Sequence, residues 1–280
     1  MKHFLVITNK EKDKDLSITN VIRQHLQDAG AICYVHNEYT KNKLKPLDVP
    51  DDTECILVIG GDGTILNAAT KIIGKNIPIL GINLGTLGFL AEVNVKDIHQ
   101  TLDRLIADNY QIENRTMLSC EVFRDGARVE SYHALNDIVL SKSGYNSVIG
   151  LSIAINETEI ESYYADGLII CTPTGSTAYN LAAGGPIINP TCKNFVVTPI
   201  CPHSLTTRSV VLAKDDVITI RMMGQSSGRE TINPIIIYDG RLGLELYPGD
   251  EIHVYKAEEV TPFIKMTKVS FAKILRDKML

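Results

Sequence analysis

The chain has no excess of positive charge: 28 Lys and Arg against 33 Asp and Glu leave a formal net charge of −5. Its densest basic run, Lys41, Lys43 and Lys45, is short, so the stripe with which proteins neutralise nucleic-acid phosphates is missing. No stretch approaches the ~18 apolar residues of a membrane-spanning helix. The opening apolar run, Met1 to Thr8, is too brief for a secretion signal and passes straight into polar sequence. Six cysteines, at 33, 55, 120, 171, 192 and 201, include no C-x-x-C pair and no His–Cys spacing of a zinc site. In a chain of this size they read as reduced thiols of a cytosolic (cytoplasmic) protein, most of them inside. Disorder is excluded too, since 44% of residues are hydrophobic and 22% charged. The 280 residues suit two domains, at roughly 150 residues each.

What is present falls into two patterns. Residues 4–7, 31–35, 55–59 and 77–82 are apolar runs of strand length. Between and after them, Val21, Ile22, Leu26 and Ala29, then Ile65, Leu66, Ala69, Ile72 and Ile73, then Ile98, Leu102, Leu105 and Ile106 recur at helical spacing. Gly30 and Gly74 stand where the first two helices should stop. Continuous apolar strands alternating with amphipathic helices predict a parallel sheet covered on both faces. After about residue 111 strand follows strand with almost no helix. Asp125-Gly126 between residues 117–123 and 129–135 is a hairpin signal. Further strands are expected over 148–155, 160–164, 168–171, 195–198, 217–222, 235–238 and 242–247. The expected fold class is therefore an α/β N-terminal domain, residues 1–112, followed by an all-β sandwich-like domain, residues 113–255. Residues 271–280 look helical behind a capping Ser270 and have little to pack on in a β domain, so the chain end, residues 256–280, is expected to return to the first domain.

Gly60-Gly61-Asp62-Gly63-Thr64 closes the third strand immediately before a helix. In that geometry backbone N–H groups and the positive helix end hold phosphate, and glycine allows the ligand close to the backbone. The place also fits ligand binding at the carboxyl ends of α/β strands. There is no G-x-x-x-x-G-K-[ST], and Leu66 stands where the dinucleotide fingerprint needs its third glycine. Asp62 among three glycines exceeds what a turn needs; its carboxylate can hold Mg²⁺ or accept a hydroxyl proton. A second glycine turn, residues 83–90 with Phe89, follows the fourth strand. Asn136 and Asp137, between two strands, suit ribose hydroxyls or simply a turn. The segment 166–186 leads a buried strand into hydroxyl groups and a short helix, where Tyr179 suits base stacking and core packing equally. His203, in a polar loop, has no triad or metal spacing around it and reads as structural or substrate-lining.

GGDGT at 60–64, NLGTLGFL at 83–90, ALND at 134–137, DGLIICTPTGSTAYNLAAGGP at 166–186 and PHSLTTR at 202–208 resemble, in this order and spacing, a bacterial NAD kinase. The likeness runs from the first strand to about residue 255. GGDGT alone is shared with diacylglycerol-type lipid kinases and phosphofructokinases; TPTGSTAY after a strand is far more specific.

The resemblance implies phosphorylation of the adenosine 2′-hydroxyl of NAD, with ATP or polyphosphate as donor and a divalent metal such as Mg²⁺. It assigns Asp62 as proton acceptor and, with Gly63, as a dinucleotide contact. The rest of the turn, Gly60, Gly61 and Thr64, is placed with the phosphates, and Phe89 is carried as a ligand contact. Asn136 and Asp137 match the ribose pair. Asp166, Thr174, Thr177, Ala178, Tyr179, Asn180, Leu181 and Ala182 match further dinucleotide contacts, and Arg241 a weaker one. No metal ligand is assigned. Ala182 stands where relatives often have serine, and Tyr164 and Arg241 where they often have other polar side chains. The resemblance further implies homodimers or homotetramers with subunit contacts in the β domain. Two other readings share these residues: a lipid kinase with the same turn, whose membrane-binding basic helix is not seen, and a non-catalytic NAD-binding regulator.

Overall fold

The computed structural model describes residues 1–36, 47–85, 88–144, 148–223, 233–267 and 269–279. The basic run at 41–45 and Thr86 and Leu87 of the second glycine turn lie outside the described residues. The chain divides into two units, Met1–Arg115 with Val260–Leu280, and Thr116–Glu259.

The first unit begins β1 (His3–Thr8), α1 (Ser17–Asp28), β2 (Ile32–His36), β3 (Cys55–Ile59), α2 (Asp62–Lys71), β4 (Ile79–Asn83), β5 (Val93–Asn94) and α3 (Ile98–Ile106). The strands are parallel in the order β2-β1-β3-β4, with β5 beside β4. Every residue of β3 and β4 is buried, the reason both read as unbroken apolar runs rather than alternating ones. Ile22 and Leu26 of α1 and Ile98, Leu102 and Leu105 of α3 pack with Phe4, Val6, Leu57, Ile59 and Leu80 in one core. Asp13 anchors the start of α1: its carboxylate accepts the Ile18 and Thr19 amides at 3.1 and 3.0 Å and the Thr19 hydroxyl at 2.7 Å.

The second unit is built of β6 (Gln111–Arg124), β7 (Ala127–Ala134), β8 (Asp137–Ser141), β9 (Ile149–Ile155), β10 (Thr158–Ala165), β11 (Gly167–Cys171), the single-turn α4 (Tyr179–Ala182), β12 (Phe195–Ile200), β13 (Val210–Leu212), β14 (Ile218–Met223), β15 (Ile235–Tyr238), β16 (Arg241–Glu245) and the first part of β17 (Glu251–Lys265). Its strand ladders are antiparallel, β13-β12-β11-β8-β15-β16 in one sheet and β10-β9-β14-β17 in the other. β6 and β7 form the hairpin expected at Asp125 and Gly126, both at positive φ. Ile138, Leu140, Leu168, Ile170 and Phe195 from one sheet meet Leu151, Ile153, Ile218, Ile220 and Ile252 from the other in a sandwich core. On the outer face Val139, Ile169, Cys171 and Val196 form a second apolar layer with Ala183 and Ile188. Strands β8, β11 and β12 are thus covered on both faces.

The unit boundaries fall inside two long strands, between Arg115 and Thr116 in β6 and between Glu259 and Val260 in β17. β17 pairs with β14 in its first half, and its Phe263 stands opposite Ile79 of β4. Beyond it, Glu92 accepts the amides of Met266 and Thr267 at 2.9 and 2.8 Å, and Arg104 donates to the Met266 carbonyl at 2.7 Å. The chain ends in α5 (Phe271–Met279), where Ser270 Oγ accepts the Lys273 amide at 3.3 Å. Of the cysteines, Cys55, Cys120 and Cys171 are buried, Cys33 and Cys192 half-buried and Cys201 exposed; all six are free thiols.

Candidate active site

In the first unit, β3 ends at Ile59 and α2 begins at Asp62, with Gly61 extended before it. Asp62 therefore sits in the first turn of a helix, where negative charge is favoured by the helix dipole. Its carboxylate reaches across to the second glycine turn: Oδ2 accepts the Phe89 amide at 2.8 Å and Oδ1 the Leu90 amide at 3.1 Å. Gly88 makes this possible, because a Cβ there would lie 1.8 Å from Asp62 Oδ1. The glycine turns after β3 and β4 are thus one structure, tied at Asp62. Thr64 is buried and accepts from Asn9 Nδ2 at 3.4 Å; the Asn9 amide donates to Ile59 at 3.1 Å. Phe89 enters through its backbone amide, and its half-buried ring lies under the Lys278 ammonium.

In the second unit, Asn136 and Asp137 lie where β7 passes into β8. One carboxylate, Asp239 in the turn between β15 and β16, accepts three consecutive amides: Leu135 at 2.9 Å, Asn136 at 2.7 Å and Asp137 at 3.2 Å. The Asp239 amide returns a bond to the Asp137 carbonyl at 3.0 Å. From the far side the Thr172 amide donates to the Asn136 carbonyl at 2.9 Å. Gly175 presses so close that a Cβ would stand 2.1 Å from the same oxygen. Asp137 is only 6% exposed. Burial, and secondarily the Asp239 charge, pushes its carboxyl up to about 7. Burial raises Asp239 as well, while its three amide bonds and Arg241 pull the other way. Asp239 is absent from the sequence-derived set. The available signal was Asp239-Gly240 between two strands, which marks a hairpin but not its partner.

Asp166 joins β10 to β11 and pairs with Lys142 at 2.6 Å. Both line a groove of about 390 Å³ with Ser141, Tyr179 and Ile200. Tyr179 is 47% exposed, so it is a surface ring and not a core residue. Beside it the 166–186 segment divides into framework and surface. Asn180 is fully buried: its Nδ2 donates to Ser176 and Pro186 carbonyls at 3.1 and 3.0 Å, and its Oδ1 accepts the Thr198 hydroxyl at 2.7 Å. Its side chain is engaged within the fold and braces the segment. Thr174 is buried, with its carbonyl accepting the Thr177 hydroxyl at 3.3 Å. Thr177, Ala178 and Leu181 are half-buried and Ala182 is exposed. Arg241 opens β16, beside the Asp239 turn. His203 is exposed, its amide on the Tyr164 carbonyl at 2.7 Å.

Among the described residues no group of three or more His, Cys, Asp or Glu side chains could hold a metal ion. Asp62 brings a single carboxylate to its turn, and both its oxygens already accept amides. The described residues by themselves therefore do not make a protein-held metal centre.

An α/β unit presenting a carboxylate in a glycine turn at a helix start, followed by a β sandwich with a polar loop cluster, is the layout of a small-molecule kinase. Residues 4–110 match the ATP-NAD kinase N-terminal domain and residues 135–266 the ATP-NAD kinase C-terminal domain. The chain is 41% identical over 286 residues to an NAD kinase of Lachnoclostridium phytofermentans, covering 99% of both sequences. It is 45% identical over 226 residues to an NAD kinase of Koribacter versatilis, covering 81% of this chain and 77% of that one. Among solved structures it is similar to yeast NADH kinase complexed with NADH, with a TM-score of 0.87 at 25% identity over 99% of this chain and 87% of that one. An Archaeoglobus fulgidus NAD kinase in complex with ATP shares the fold, with a TM-score of 0.76 at 23% identity over 95% and 94% of the two chains. The chain belongs to the NAD kinase family.

Proposed function

We propose that the protein phosphorylates the adenosine 2′-hydroxyl of NAD, giving NADP, with ATP or polyphosphate as donor. The observation that carries this is Asp62, a carboxylate held by two amides at the start of α2, inside a glycine turn. The first unit supplies the donor's phosphate turn and the proton acceptor. The second binds the dinucleotide through Asn136, Asp137, Asp166, Thr177, Tyr179 and their neighbours. In the reaction the 2′-hydroxyl proton passes to Asp62 as the new O–P bond forms and the donor's bridging oxygen departs with its electron pair. Such a transfer depends mainly on positioning and charge stabilisation. A divalent metal is assigned to the donor's phosphates and not to a protein site.

The test is incubation with NAD, Mg²⁺ and each donor in turn, read by an NADP-specific dehydrogenase. NADP from neither donor would reject the reading; NAD binding without product would identify a regulator, and phosphorylated diacylglycerol a lipid kinase.

The raised carboxyl of Asp137 makes NAD affinity pH-dependent. A ribose hydroxyl donates best to the anion, and the anionic fraction grows as pH rises through about 7. Calorimetry should show NAD binding tightening by up to roughly tenfold from pH 6 to pH 8. In Asp137→Asn the dependence should flatten and the affinity fall. An unchanged slope would remove Asp137 from the ribose contacts.

A homo-oligomer assembled through the β unit completes the reading, in a cytoplasmic setting that suits six free thiols. The edge strands of its six-stranded sheet, β13 and β16, expose Val210, Val211 and Leu242, and unpaired edges invite covering. Light scattering at micromolar concentration should report at least a dimer of the 30.9 kDa chain; an active monomer would refute this.

A further inference from the structure

Two lysines outside every motif described above converge on the glycine turn. Lys278, near the end of α5, holds its ammonium 3.9 Å from the centroid of the Phe89 ring. The backbone amide of Phe89 is bonded to Asp62, so ammonium and carboxylate grip one residue from two sides. Lys12, in the turn after β1, has its ammonium 3.2 Å from where a Cβ of Gly61 would stand; it occupies the space that the glycine leaves open. Neither ammonium forms an ion pair among the described residues. The first amides of α2 lack intrahelical partners, as at any helix start. A phosphate chain at this turn needs positive charge besides these amides, because Asp62 brings a negative charge to the same place.

We propose that Lys278 and Lys12 form the cationic clamp for the phosphate chain of the donor at the 60–62 turn. The inference rests on the reading above, in which this turn receives the donor. Partial desolvation lowers the pKa of Lys278 against the opposing pull of Asp62, and a phosphate chain at the turn would place further negative charge beside this ammonium. Lys278 also makes the last helix part of the donor site, through a residue 189 positions beyond Phe89 in a chain of 280 (278 − 89 = 189). A cation–π contact that merely ties α5 down would need no second ammonium at Gly61.

The experiment compares Lys278→Met, Lys12→Met, the double variant and Lys278→Arg with the unaltered protein. Inorganic tripolyphosphate is the binding probe, titrated by calorimetry, and steady-state kinetics with ATP and NAD are measured alongside. Each Met variant should weaken tripolyphosphate binding and raise the KM for ATP by about tenfold, leave the KM for NAD within about twofold, and act additively or more in the double variant. Lys278→Arg should restore most of the loss, since the charge is kept. Unchanged tripolyphosphate affinity and ATP KM in both Met variants would overturn the clamp, as would an equal rise in both KM values. A lower melting temperature with donor binding intact would show a helix tie only, and would also overturn it. Because tripolyphosphate binding needs no turnover, a protein that binds it through these lysines yet makes no NADP fails the functional reading and keeps the clamp.

Discussion

Asp62→Asn should lower turnover by about 10²–10⁴-fold if the carboxylate is the general base, while NAD affinity changes within a few-fold. Asparagine is nearly isosteric but has no anionic oxygen to take the 2′-hydroxyl proton. Asp62 has a second duty, however, in accepting the Phe89 and Leu90 amides. Asparagine keeps one acceptor and turns an N–H₂ toward the other amide, so part of any loss could come from movement of the second glycine turn. Gly88→Ala separates the two. It leaves the carboxylate chemically intact but places a Cβ 1.8 Å from Oδ1, which must displace either the turn or Asp62. A base role predicts that turnover falls much further in Asp62→Asn than in Gly88→Ala, whose carboxylate can still take the proton. Near-normal turnover in a folded Asp62→Asn protein would reduce Asp62 to a brace between the two turns.

That double duty also marks the limit of what the letters disclose. Cys55–Ile59 and Ile235–Tyr238 match their predicted strands to the residue, because local burial and flanking turn residues settle a strand without outside help. The Asp125-Gly126 hairpin is equally local. The long strand Glu251–Lys265 is not legible: Glu258, Glu259 and Pro262 interrupt its apolar pattern, and pairing with β14, β6 and β4 keeps it extended. The glycine turn at residues 60–64 announces a phosphate site, but the partner of its aspartate lies 27 residues away. Asp239 is more than a hundred residues from the amides it holds. Side chains that shape another segment's backbone leave no local period or spacing. Tyr179 stands between these cases: its position in the chain was plain, and only its exposure decides that it is no core residue.

Asp239→Ala should be strongly destabilising for the β unit. Removing the carboxylate strands the amides of Leu135, Asn136 and Asp137 in a loop walled in by Thr172 and Gly175. A buried donor left unpaired costs about 1–3 kcal/mol, so two buried donors and a half-buried third imply a loss of roughly 3–6 kcal/mol once some water enters. At about 2–4 °C per kcal/mol for a unit of this size, the melting temperature should fall by roughly 10 °C. An opposing effect has the same origin. In the folded protein burial and Asp239 raise the carboxyl of Asp137 to about 7, above the ordinary aspartate range. For a raised carboxyl the stabilising contribution is complete at acid pH, below the unfolded value, and is lost as pH rises through the folded one. The unaltered protein should therefore lose stability between about pH 4, the ordinary aspartate value, and about pH 7 from this pair. Asp239→Ala removes the neighbouring charge and should show a shallower decline, on a lower curve. Denaturant melts across that range read both effects, and calorimetry should find NAD binding weakened because Asn136 and Asp137 are no longer pinned. A variant with an unshifted melting temperature, the original pH slope and full NAD affinity would show that the three amide bonds to Asp239 carry neither the fold of this loop nor its ligand.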